Sequence, residues 1–187
     1  MLEKSIQSVL DEMHDILSSA LGPNNRRQYM QNKGIRGDIN WSFALTPVEI
    51  IRDKIPTNVI GCTGRAKLFC YLAGQHAIKC NVIAMAAIPD LQREYYASHG
   101  VTPDNSNVVI NGHQIISVDT PDGSRMFDPG CRKLKFISVK PCFGCIVDIG
   151  QAYEFIIRAI VPGDKFISLS SYWELDDMYR SGGTYQS

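Results

Sequence analysis

The chain has 187 residues, 44% apolar and 20% charged, an ordinary balance for one globular domain and unlike a disordered, collagen-like or coiled-coil chain. Its 19 Lys and Arg offset 19 Asp and Glu, so there is no cation surplus to displace phosphate counterions, which argues against a dedicated nucleic-acid binder. The longest apolar run, residues 82–88, is far shorter than the roughly 20 residues that cross a bilayer.

Residues 2–21 carry Leu2, Ile6, Val9, Met13, Ile16, Leu17 and Leu21 at helical spacing and predict an amphipathic helix, ended by Gly22-Pro23-Asn24-Asn25. Acidic residues stand where a signal peptide would hold its apolar core, so a cytoplasmic chain with reduced thiols at its six cysteines is expected. Thr46-Pro47-Val48-Glu49 has the pattern of a capping box with proline in the first turn, opening a short helix that stops near Pro56. A second helix is predicted from Gly61-Cys62 to about Gln75, with Ala66, Phe69, Cys70 and Ala73 along its core-facing stripe.

Residues 80–88 read as a buried strand and 89–106 as an excursion with a helical turn near Leu91 to Ala97. Strand character follows at 108–110 and 115–118. Thr120-Pro121-Asp122-Gly123 is a hairpin turn, and 125–128 returns as its partner strand. Further strands are expected at 134–139, 153–160 and 166–169. Helices first and strands after predict an α+β fold with an antiparallel sheet. Residues 1–45 form a helical N-terminal extension to this single domain of 187 residues, and the tail 181–187 has no core-forming content and is expected to fray.

Three positions stand out together: Cys62 at a helix start, His113 on a strand and Asp128 on the next. Each alone has an ordinary reading, as a small core hydrophobe, a structural histidine and a turn residue before proline. Together they have the order of nucleophile, base and orienter. A helix N-terminus favours a thiolate, and the tight hairpin can put a carboxylate on neighbouring strands beside the imidazole.

The segment Gly61-Cys62-Thr63-Gly64-Arg65-Ala66-Lys67-Leu68-Phe69, with Ala77-Ile78-Lys79-Cys80-Asn81-Val82-Ile83 after it, resembles the nucleophile helix and following strand of the transglutaminase-like superfamily. Gly112-His113 and Phe127-Asp128-Pro129 resemble its histidine strand and aspartate ending. The resemblance spans residues 46–136. It departs from the family at Arg65, where an aromatic or hydroxyl residue is common, and at Gln114-Ile115, where Ala-Trp often follows the histidine. The resemblance implies a papain-like core with the nucleophile helix packed on an antiparallel sheet. It also implies acyl transfer at amide bonds through a Cys62-His113-Asp128 triad and a thioester acyl-enzyme, as a protease, deamidase or transglutaminase. The partner would be a protein or peptide carrying a glutamine or other amide, with no cofactor, nucleic acid or membrane required. The Cys62 N–H would supply one oxyanion donor, with Asn58 and Trp41 as candidates for the other.

Two other readings remain open. One is a papain-like cell-wall amidase, against which the absent export signal and the Asp128-Pro129 ending count; an arylamine N-acetyltransferase is disfavoured by chain length and the missing R-G-G-x-C. The second is a non-catalytic binding module on the same fold, with Cys142 and Cys145 of the C-x-x-C sequence holding a metal alongside Cys131 or Cys80 and a histidine. The C-x-x-C lacks a second such pair, so two reduced thiols on a turn are expected and no metal site is assigned.

Overall fold

A computed structural model describes residues 1–18, 24–34, 45–55, 57–88, 112–150 and 154–171, with 174–175, 177 and 183–184. The expected strand at 108–110 and the excursion 89–106 lie outside the described residues. The elements run α1 (Leu2–Ser18), α2 (Asn24–Asn32), α3 (Pro47–Arg52), α4 (Thr57–Gln75), β1 (Cys80–Ile88), β2 (Gly112–Thr120), β3 (Gly123–Phe127), β4 (Ile146–Val147), β5 (Glu154–Pro162), α5 (Gly163–Ser168) and β6 (Gly183–Thr184). The fold is α+β.

The sheet has the order β3-β2-β1-β5-β4, antiparallel at every one of these pairs, and β6 adds to β5 in parallel. β1 lies at its centre and is buried along seven consecutive residues, which is why its sequence is continuously apolar and does not alternate. Alternation survives in where the side chains go. Val82 and Ala84 join the core beneath the helices, with Ile116, Val118 and Phe127. Ile83, Met85 and Ala87 join a second core with Ile115, Met126, Phe155 and Ile157, flanked by Ile137, Cys145 and Ile149.

The expected apolar faces are the buried ones. Ile6, Val9, Met13 and Leu17 of α1 are buried, and α1 packs on α4. Ala66, Phe69, Cys70 and Ala73 of α4 are all buried, and Phe69 meets Phe127 edge-on at 5.1 Å between ring centres. The Thr46–Glu49 capping box forms: Glu49 N–H donates to Thr46 Oγ1 at 3.2 Å and Thr46 N–H to Glu49 Oε2 at 3.0 Å. Buried Lys67 donates to the Leu169 carbonyl, tying α4 to the chain after α5, and burial brings its pKa down to about 8.

Five expectations are corrected. Residues 166–169 are not a strand. Pro162 ends β5 and the chain turns into α5, which places only Phe166 and the capping Leu169 in the core. The stretch 134–139 contributes a single bridge, Ile137 to Met126; its apolar side chains Leu134, Phe136 and Ile137 pack against the cores without extending a strand ladder. The tail is not wholly frayed. β6 takes the edge of β5 at Ala159 and Ile160, beyond the reach of β4, through backbone pairing that needs no side-chain core. Cys142 and Cys145 are joined in a disulfide; the turn at Gly144, φ +78°, brings their Cα atoms within 5.5 Å. Finally, α4 starts at Thr57, four residues before the expected start, but it breaks at Gly61 (φ +58°, ψ −164°).

That break determines where Cys62 sits. The Gly61 conformation is one that a Cβ all but forbids, and it restarts the helix so that Cys62 opens its long limb. Gly61→Ala is expected to destabilise the fold by roughly 1–3 kcal/mol in urea denaturation. An unchanged midpoint would mean that the kink is not strained.

Candidate active site

The long limb of α4 delivers Cys62 to the start of β2, and the β2–β3 hairpin, with Ile116 opposite Phe127, brings Asp128 back beside His113. His113 Nε2 donates to Asp128 Oδ2 at 2.8 Å. With Nε2 engaged there, Nδ1 is the ring nitrogen left for the Cys62 sulfur, and the two side chains lie close enough to shift each other's titration. The ring leans on Phe155, 5.8 Å between ring centres. The structure therefore brings the three residues singled out in the sequence to one place, His113 bonded to Asp128 and Cys62 held beside it at Gln114.

Burial disfavours charge on all three, and their mutual contacts outweigh it. Burial opposes the His113 proton, but Asp128 and Cys62 push its pKa up to about 9. Burial pushes the Cys62 thiol up, yet its hydrogen bond to His113, the imidazolium charge, the Gln114 backbone N–H and the Thr63 hydroxyl bring it below the ordinary thiol range. Burial likewise raises Asp128, and the His113 bond and charge, the Gly130 N–H (donating to Oδ1 at 2.7 Å) and the Arg65 guanidinium hold it below the usual carboxylate range. A thiolate–imidazolium pair braced by a carboxylate is the state these shifts favour.

Two neighbours were not assigned to the site from the sequence. Gln114, only 5% exposed, accepts from the Cys62 thiol at 2.7 Å and from Thr63 Oγ1 at 3.0 Å. Once the thiol proton passes to His113, a carbonyl oxygen facing sulfur becomes repulsive and the amide NH₂ is the better match. Thr63 is buried beside it. Nothing in a Gln next to a histidine distinguishes this pair from core packing; only the strand register places them. Arg65, a departure from the family pattern, lies beside Asp128 and adds to its charge balance.

The two oxyanion-donor candidates gain no support. Asn58 lies in the turn of α4 before the Gly61 kink, with its side chain outside the described residues, as is the whole of Trp41. Cys142 and Cys145, bonded to each other, are not available as metal ligands. Among the described residues no cluster of three or more His, Cys, Asp or Glu side chains converges elsewhere. No described helix is long and apolar enough to cross a membrane. Comparison with protein-family models, curated proteins and solved structures finds no match.

Proposed function

We propose that the chain is a cysteine-dependent acyl-transfer enzyme of transglutaminase-like type, built on a papain-like core, with Cys62 as nucleophile, His113 as base and acid, and Asp128 as orienter. One observation carries this reading: the helix-start Cys62 sits against Gln114, beside a His113 whose Nε2 donates to Asp128 Oδ2 at 2.8 Å. The Cys62 sulfur attacks an amide carbonyl, with its proton already on His113. The developing oxyanion meets the Cys62 backbone N–H, and the Gln114 amide, whose oxygen now accepts from the thiol at 2.7 Å, would serve as a second donor if turned NH₂-outward. The C–N bond breaks as His113 gives its proton to the leaving amine, leaving a thioester on Cys62. Water or a second amine then resolves it, with His113 taking the proton of the incoming nucleophile. A protein or peptide amide, glutamine included, is the substrate class.

The test is to trap the acyl-enzyme. The chain is incubated with a panel of glutaminyl and backbone-amide peptides, acid-quenched and peptide-mapped, while ammonia release, amine incorporation and peptide cleavage are followed in parallel. A thioester confined to Cys62, discharged by hydroxylamine and absent in Cys62→Ala, is expected. Turnover that survives Cys62→Ala would sink the reading.

A further inference from the structure

A second pair of cysteines lies outside the triad. Cys80, the first residue of β1, donates to Cys70 Sγ on α4, and the two sulfurs are 3.3 Å apart. Both are free thiols. Cys70 is buried and Cys80 half-buried, so Cys80 is the less enclosed of the two. The chain is built around them at Gly163, the first residue of α5. A Cβ there would come within 2.9 Å of Cys80 Sγ, 3.0 Å of Cys70 Sγ and 2.8 Å of the Cys80 carbonyl, so only glycine leaves the sulfurs their place. A surface depression of about 530 Å³ opens on this spot, lined by Cys70, Cys80, Gly163, Tyr71, Lys79 and Asp164 among others.

We propose that Cys70 and Cys80 are a dithiol modification site, which a low-molecular-weight disulfide reaching it through this depression oxidises to a second intrachain disulfide. The less enclosed Cys80, as thiolate, attacks one sulfur of the reagent RSSR, forming a Cys80–SR mixed disulfide and releasing RS⁻, which takes up the proton that Cys80 lost. Cys70 then loses its proton and attacks the Cys80 sulfur, expelling the second RS⁻, which is protonated in turn. The net change is two protein thiols and one RSSR giving one protein disulfide and two RSH. The neighbouring Cys80 and burial hold the Cys70 thiol well above its ordinary range, so Cys70 is not the first attacker. Once Cys80 is capped as the mixed disulfide its influence is lifted, and proximity drives the second step. Closing the bond needs the sulfurs to approach by a little over ~1 Å. The product fastens the helix that carries Cys62 to the central strand of the sheet, closing a short loop.

The experiment uses the full chain with Cys62→Ser, so that the candidate nucleophile does not consume reagent, treated with oxidised glutathione. Non-reducing peptide mapping follows, with the Cys142–Cys145 peptide as the internal example of a linked pair. The expected result is a Cys70–Cys80 linked peptide, a Tm raised by roughly 5–10 °C and reversal of both by dithiothreitol. In Cys70→Ala the glutathione adduct should remain on Cys80. A Cys80 adduct that persists with Cys70 present, or modification of Cys131 alone, would overturn the proposal. Neither outcome bears on the acyl-transfer reading.

Discussion

Limiting iodoacetamide at mildly acidic pH will label Cys62 ahead of Cys70, Cys80 and Cys131, the other free cysteines. Only the thiolate alkylates, and among these four, contacts with His113 bring Cys62 below the ordinary thiol range. Cys131 is the telling comparison. It is exposed, yet partial burial and the Asp128 charge push its thiol up. Access and acidity thus point in opposite directions, and acidity should win. His113→Ala should slow Cys62 labelling roughly 10-fold for each unit by which the loss of the imidazolium raises the thiol pKa. Labelling of Cys131 first, or no effect of His113→Ala, would remove Cys62 from its role.

The same shifts set the pH window. Cys62 is depressed, so its thiolate is present above that lowered value and lost as pH falls through it. His113 is raised from 6.5 to about 9, so the stability its proton brings is complete below 6.5 and is lost as pH rises through about 9. Asp128 is depressed from 3.8. Its contribution is complete above 3.8 and lost as pH falls through the folded-state value. Turnover should therefore follow a bell whose alkaline limb, near 9, reports the His113 proton given to the leaving amine.

The nearness of Cys62, His113 and Asp128 was legible in the sequence because each carries a local mark: glycine before Cys62, glycine before His113, and a hairpin turn that sets how far Asp128 returns. Strand register converts those marks into proximity. Gln114 had no such mark. Its amide reaches Cys62 only because β2 starts where the long limb of α4 starts, a juxtaposition that no spacing within either element encodes. The Cys70–Cys80 contact was hidden for the same reason, since helix stripe and strand each read as core on their own. Apolar content misled where backbone decided. Phe166-Ile167 reads as strand, but Pro162 and Gly163 turn the chain into a helix. Gly183-Thr184 is too short to read as a strand and pairs regardless, because β5 offers an open edge.

Asp128→Asn should separate an orienting carboxylate from a turn residue. The amide is nearly isosteric, so its oxygen can go on accepting the Gly130 N–H that Oδ1 now accepts at 2.7 Å, and the fold should lose only about 1–2 kcal/mol. Its other end changes the chemistry. With oxygen kept on Gly130, the NH₂ faces His113 Nε2, which now donates to Oδ2 at 2.8 Å. Two donors cannot meet, so His113 must take the tautomer with its proton on Nδ1, the nitrogen that should receive the proton from Cys62. Base function is lost and the imidazolium loses a counter-charge. In Ser-His-Asp triads the corresponding change costs about 10⁴ in rate. Here the loss should be smaller, roughly 10²–10³-fold, because the Cys62–His113 ion pair partly forms without the carboxylate. NMR titration of His113 gives the readout that a structural role would not move. Its pKa should fall from about 9 in Asp128→Asn, as removal of a hydrogen-bonded carboxylate requires. A His113 pKa unmoved by the substitution, together with unchanged Cys62 alkylation, would reduce Asp128 to a turn residue before Pro129.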